Sequence, residues 1–167
     1  MDLSNIFSTL LDNIWNLLPF QKIHEYEQGL RWTWGKAGKI LHYGIHPYIP
    51  YIQSIDVENT KLQVIHLSPQ GLENISCSLL ITFRMVDIKE RYLTMQDSES
   101  EEFIGTIAQG IAADILGGKT AKHILNNKAE LETDICKEVH NYISQYGYEA
   151  DDVKIIECLD ILGVRLL

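Results

Sequence analysis

The chain has 167 residues, with 14 Lys and Arg against 23 Asp and Glu, a net charge of −9, and 46% apolar content. That balance is enough to bury a sizeable core and excludes intrinsic disorder over most of the length. The cations are scattered and form no basic stripe, so binding to a nucleic-acid backbone is not expected. One domain is the expectation at this length, and two small ones also fit.

Residues 1–20 contain no Lys or Arg. Leu3, Ile6, Phe7, Leu10, Leu11, Ile14, Trp15 and Leu18 recur at the spacing of one helical face, opposite a face of Asp, Ser, Thr and Asn. Asp2 and Ser4 favour helix initiation and Pro19 ends the segment. Two readings are open for this predicted helix. It docks on its own domain or a partner, or it lies in the plane of a membrane surface with Trp15 and Phe20 seated at the interface. The second would depend on apolar burial rather than charge. No uninterrupted apolar run reaches membrane-spanning length, and no secretory signal is expected, because a basic leader and a small-residue cleavage site are missing.

From Lys22 the period changes. Residues 22–34 are rich in β-branched and aromatic residues around Gly29 and read as two short strands or one interrupted strand. Residues 35–50, with three glycines and two prolines, read as loop. Strands follow near Ile52–Val57 and Lys61–Leu67, then a turn at Ser68-Pro69-Gln70-Gly71. Residues 75–86 alternate with period two, placing Ile75, Cys77, Leu79, Ile81, Phe83 and Met85 on one face. Ser98 and Glu101 form a capping pair ahead of a helix running from Phe103 to Leu116, stopped by Gly117-Gly118. Thr120 opens a short helix to Leu125. Asn127 with Glu130 opens another to about Tyr146, ended by Gly147. A last strand, Val153–Leu162, alternates with Val153, Ile155, then Leu159 and Ile161 on one face. Strands, then helices, then a returning strand define an α+β fold with an antiparallel sheet and helices to one side.

The chemistry-bearing patterns are weak. Gly118-Lys119-Thr120 resembles the end of a phosphate loop, but Ala113 stands where its first glycine belongs and a helix precedes it, so a helix end followed by a new cap is the better account. His42 and His46 have metal-ligand spacing only on a helix, which Gly44 and Pro47 oppose. Cys77, Cys136 and Cys158 are odd in number and widely spaced, so neither a disulfide framework nor a zinc site is expected, and a reducing compartment fits. Asp151-Asp152 and Ser98–Glu102 read as solvated faces or caps. Trp32 and Trp34, two apart on one strand face, read as core by default, with an exposed aromatic binding strip as the alternative. No catalytic constellation, cofactor site or metal site emerges.

Five segments, in order, carry a family resemblance: KIHEYEQGLRWTWGK, YGIHPYIPYIQSIDV, ISCSLLITFRMVDIKE, EEFIGTIAQGIAADILGGKTAKHILNNKAELETDI and YGYEADDVKIIECLDIL. Together they resemble the SPFH, or band 7, domain of stomatins, prohibitins and flotillins, over about Lys22 to Leu162. Tyr43 departs from the family's proline before glycine, and the turn Ser68–Asn74 replaces its usual hairpin. Five residues follow Leu162, so the family's long C-terminal coiled coil is expected to be absent.

The resemblance implies an α+β fold with a mixed, largely antiparallel sheet and helices packed on one side, preceded by the amphipathic helix. The division is 1–20 for that helix and 21–167 for the SPFH-like domain. It implies a non-catalytic, membrane-associated scaffold without cofactor, forming homo-oligomers and serving a client such as a membrane protease or channel. It favours membrane contact through Leu3, Ile6, Phe7, Leu10, Leu11, Ile14, Trp15, Leu18 and Phe20, at the inner face of a membrane on the cytoplasmic side. A soluble interaction module whose first helix docks on a partner is the alternative.

Overall fold

The computed structural model describes residues 19–69, 75–95 and 100–160, and these separate into two compact units that divide after Lys61. The predicted helix over residues 1–18 lies outside the described residues.

The first unit holds five short strands: β1 (Phe20–Ile23), β2 (Glu27–Thr33), β3 (Lys36–Leu41), β4 (Gly44–Pro47) and β5 (Gln53–Asn59). β1 pairs antiparallel with β4, and a three-stranded antiparallel sheet runs β3-β2-β5. Residues 35–50 are therefore largely strand, not loop. Their glycines and prolines lower local strand propensity, but β3 and β4 each gain a ladder of hydrogen bonds from a partner the local sequence does not reveal. The β2–β3 hairpin closes through the two-residue turn Trp34-Gly35, with φ of 53° and 72°. Two positive φ values match the twist of the flanking strands, which is why glycine stands second. Ile23, Leu30 and Leu41 are the buried centre of this unit.

The second unit is built on a three-stranded antiparallel sheet in the order β6 (Gln63–Leu67), β7 (Ile75–Met85), β8 (Tyr148–Asp160). Between β7 and β8 the chain forms α1 (Ile88–Thr94), α2 (Ser100–Leu116), α3 (Ala121–Asn126), α4 (Lys128–Ile143) and a 3-10 turn, Ser144–Tyr146. The alternation read along β7 holds: Ile75, Cys77, Leu79, Ile81, Phe83 and Met85 are all buried. Buried as well are Ile104, Ala108, Ala112 and Leu116 of α2, Ile124 of α3, and Leu131, Ile135, Val139 and Ile143 of α4. The α+β class, with antiparallel sheets and helices over one face, is as expected.

Four local features differ from the sequence reading. The helix α1 is not evident from hydrophobic period because it is short. Its start is nonetheless marked: Asp87 caps it, Oδ1 accepting from the N–H groups of Lys89 (2.8 Å) and Glu90 (3.2 Å). Asn127 stands at the start of α4 but does not cap it. Its side-chain amide donates backwards to His123 O at 3.1 Å, because α3 ends on the same residue. Thr120 does cap α3, accepting from His123 N.

In β8 the exposed residue is Leu159 and the buried one is Cys158. Ser78 pairs with Glu157 but Leu79 with Ile155, so Ile156 is an extra, bulged residue that reverses the alternation beyond it. That register also sets Cys77 opposite Cys158, with Cα atoms 4.2 Å apart, and the two are joined as a disulfide. An 81-residue separation hid a pair that strand register makes direct neighbours. Cys136 is free.

Gly147 closes the helical layer onto the sheet. Its φ is 79°, its carbonyl accepts from Val86 N (2.9 Å) and Asp87 N (3.1 Å), and a β-carbon here would fall on the backbone oxygen of Asp87. Gly118 is also left-handed, at φ 70°, but open space surrounds it. In chemical denaturation, Gly118→Ala is expected to cost about 1–2 kcal/mol from backbone conformation alone. Gly147→Ala is expected to cost clearly more, and equal losses would show that the α1 and β8 ends part freely.

Candidate functional site

Of the predicted contact residues, Leu3, Ile6, Phe7, Leu10, Leu11, Ile14, Trp15 and Leu18 lie outside the described residues. Phe20 opens β1 and is 44% exposed. Pro19 O accepts from Tyr48 N at 3.2 Å, so the chain joins the first unit beside the end of β4.

Sequence patterns that mimic catalytic motifs resolve into ordinary structure. Gly118 terminates α2, the Lys119 ammonium donates to Ile115 O of that helix, and Thr120 is a helix cap. His46 Nε2 lies 2.7 Å from His42 O, so one histidine meets the other's backbone and not its ring. Among the described residues no group of three His, Cys, Asp or Glu side chains converges as a metal site.

A groove of about 490 Å³ lies between α4 and β8, lined in part by Glu132, Cys136, His140, Asp151, Asp152 and Lys154. Its anchor is Glu132, which is 9% exposed. β8 is an edge strand, so its outward N–H groups need partners from elsewhere. Glu132 Oε1 accepts from Ile155 N at 2.8 Å, and the carboxylate also faces Lys154 at 3.6 Å and Lys128, one turn earlier, at 3.8 Å. The helix thereby blunts the sheet edge and neutralises its own buried charge. Lys128 and Glu132, four apart, were the sequence signal for this contact; the strand N–H was not.

Asp151 is a second bulged residue, since Thr82 pairs with Asp152 and Phe83 with Ala150. The bulge turns it toward Arg84, at 3.6 Å, which also meets Glu149 at 3.2 Å. Asp152 pairs with Lys154 at 3.3 Å. The adjacent aspartates are thus each held by a cation. The hydrogen bond from Lys154 to Asp152, and the charge of Glu132, raise the lysine above its usual range and keep it cationic. Burial raises the Cys136 thiol above its ordinary value of 9.0, reinforced by the charges of Asp152 and Asp151 and partly offset by Lys154. A thiol held in its protonated form is a poor nucleophile. The groove ties a helix to a sheet edge.

The first unit presents a different surface. Trp32 is half-buried and its indole N–H donates to Asp56 Oδ2 at 2.7 Å. Trp34 is not core; it leaves the strand at the hairpin turn and is 74% exposed. With Tyr51 and Gln53 they border a shallow groove of about 620 Å³. The sequence hint was Gly35 directly after Trp34, since a glycine there predicts a hairpin tip rather than a continuing strand.

The order of two antiparallel β units, a helical layer and a closing strand agrees with one family description, SPFH domain / Band 7 family, whose model matches residues 21–160. The chain belongs to the SPFH domain / Band 7 family. No curated protein matches the sequence. SPFH domains are generally non-catalytic parts of membrane-associated scaffolds. Here the match spans both units, and among the described residues no helix is long and apolar enough to cross a membrane.

Two predictions follow from the SPFH groove between α4 and β8. Glu132→Ala strips the partner from a buried strand N–H and is expected to cost about 1–3 kcal/mol in chemical denaturation, with faster amide exchange at Ile155; Glu132→Gln, which retains an acceptor, loses less. For Cys136, the pH midpoint of alkylation is expected above 9.0. Because ionisation is disfavoured in the folded state, the thiol lowers stability as pH rises past its ordinary value. Asp152→Asn is expected to move the midpoint down, and an unchanged midpoint would remove the aspartate from this account.

Proposed function

We propose that the chain is a peripheral membrane scaffold domain. The match to the SPFH family over residues 21–160 carries this reading. Contact with the bilayer is assigned to the apolar face Leu3, Ile6, Phe7, Leu10, Leu11, Ile14, Trp15 and Leu18, with Phe20 at its end. That face has eight apolar residues at helical spacing and no cation beside it, so attachment rests on burial of apolar surface and responds to lipid packing more than to lipid charge. The domain meets copies of itself and serves a client protein, such as a membrane protease or channel, at the cytoplasmic face. It acts by holding partners together, with no chemistry of its own.

Vesicle flotation of the full chain tests the assignment. The wild-type chain is expected to float with vesicles. Leu10→Asp together with Ile14→Asp removes two buried side chains worth about 1.5–3 kcal/mol each, and is expected to lower partitioning by at least about tenfold. Equal flotation of both chains would remove the N-terminal face from membrane contact. Wild-type protein that stays unbound, with residues 3–18 strongly protected from hydrogen exchange in the absence of lipid, would instead make this segment a protein-docking helix.

A further inference from the structure

The sheet of the second unit has two edges, and the chain treats them differently. β8 is bulged at Asp151 and Ile156, and Glu132 reaches over it to occupy the Ile155 N–H. Along it stand Asp151, Asp152, Lys154, Glu157 and Asp160. Charge, bulges and a covering helix are the devices that stop a sheet edge from recruiting another strand. β6, at the other edge, has neither bulge nor fixed charge. Its register with β7 runs unbroken from Gln63 opposite Phe83 to Leu67 opposite Leu79. Its sequence, Gln63-Val64-Ile65-His66-Leu67, contains no Lys, Arg, Asp, Glu or Pro. Among the described residues β7 is the one strand paired with it. In an antiparallel pair only alternate residues of a strand exchange hydrogen bonds with the partner, so the remaining N–H and C=O groups of β6 point away from β7.

Apolar side chains mark the same edge. Val64 is 59% exposed, and Leu62, just before the strand, is 56% exposed. Val64 sits opposite Thr82, on the face of the sheet away from the buried β7 residues. On the inner face α2 lies against β6 through Gly105, where a β-carbon would stand 3.4 Å from Leu67 Cδ2 and 3.9 Å from Ile65 Cγ2. Gln109, one turn on, donates to Ser68 O at 3.3 Å. The helix therefore runs in the same sense as the strand. Its acidic first turn, with Glu101 and Glu102 exposed, lies towards the start of β6.

Charge selects the occupant. Residues 62–167 carry nine Lys and Arg against seventeen Asp and Glu. Arg84, Lys128 and Lys154 are already engaged by carboxylates of β8 and α4. A second copy of the chain would bring the same excess of acid to the edge, which like charge opposes. A basic segment meets no such penalty. Cytoplasmic loops of membrane proteins carry an excess of Lys and Arg near the bilayer, so a membrane client supplies such segments.

We infer that the open edge of β6 takes an added strand from a client: an extended, Lys- or Arg-flanked segment with apolar residues at alternate positions. Backbone hydrogen bonds to β6 hold it, Leu62 and Val64 meet its apolar side chains, and Glu101 and Glu102 meet its basic end. The inference rests on the client reading above and gives that client a place on the domain.

The test uses the full chain in lipid-free solution and a labelled synthetic peptide in which valine and threonine alternate between Lys-Arg ends. Fluorescence anisotropy is expected to show saturable binding that weakens as salt rises. The same peptide with its central amides N-methylated lacks the donors an added strand needs, and is expected to bind at least about tenfold more weakly. Val64→Lys, at an exposed position, is expected to keep the melting temperature and lower affinity about tenfold or more, whereas Val64→Thr retains binding. Glu101→Gln with Glu102→Gln is expected to weaken binding and flatten its salt response. Equal binding of the methylated peptide, or by the Val64→Lys chain, overturns the edge site, and so does wild-type protein that takes up no peptide. Dissociation of a peptide-free oligomer by Val64→Lys overturns it in favour of a second copy. Flotation of the same chains is read separately. Peptide binding by a chain that does not float supports the edge site and removes the membrane role, while flotation without peptide binding removes the edge site alone.

Discussion

The buried face of β7 is the constraint on which the second unit depends. Six side chains at alternate positions, from Ile75 to Met85, exclude water almost completely, and every helix that follows has an apolar residue committed to that layer. Burial at about 25 cal/mol per Å² makes such a face the dominant stabilising term, and period two makes its register unforgiving. A slip of one residue would send Leu79, Ile81 and Phe83 to solvent and bring Thr82 and Arg84 inside. Strand β8 can lie beside β7 only by adding residues at Asp151 and Ile156, and those bulges decide where its own polar groups go.

The groove between α4 and β8 is a consequence of that arrangement. An edge strand needs its outward N–H groups satisfied, and Glu132 meets the one at Ile155 from the helix above. A buried carboxylate then requires cations, which Lys128 and Lys154 supply. The bulge at Asp151 leads to Arg84, and burial together with the neighbouring aspartates keeps Cys136 protonated. Polar groups that look like chemistry when read along the chain are thus occupied with holding the fold. This agrees with a family whose members organise a membrane surface rather than transform a substrate.

The first unit follows a different economy. Its centre is small, with Ile23, Leu30 and Leu41 buried, and its large aromatic residues are divided between support and display. Trp32 is fixed by Asp56, while Trp34 and Tyr51 are turned outward by their backbones.

Much of this was legible in the sequence, because local period and cap chemistry act over a few residues. The β7 alternation, the α2 and α4 stripes, the cap at Thr120, the stop at Gly147 and the order of five family segments all read directly. What the sequence left open depended on partners far away along the chain. Strands β3 and β4 look like loop until β2 and β1 supply their hydrogen bonds. Cys77 and Cys158 look unrelated until register sets them opposite each other. Leu159 and Cys158 exchange places because a bulge inserts one residue. Trp34 looks like core until a two-residue turn carries it off the strand. Local sequence determined the long helices, the long alternating strand and the family they belong to; pairing, register and bulges, which are set by non-local hydrogen bonding and burial, decided the short strands β3 and β4 and which side chains face water.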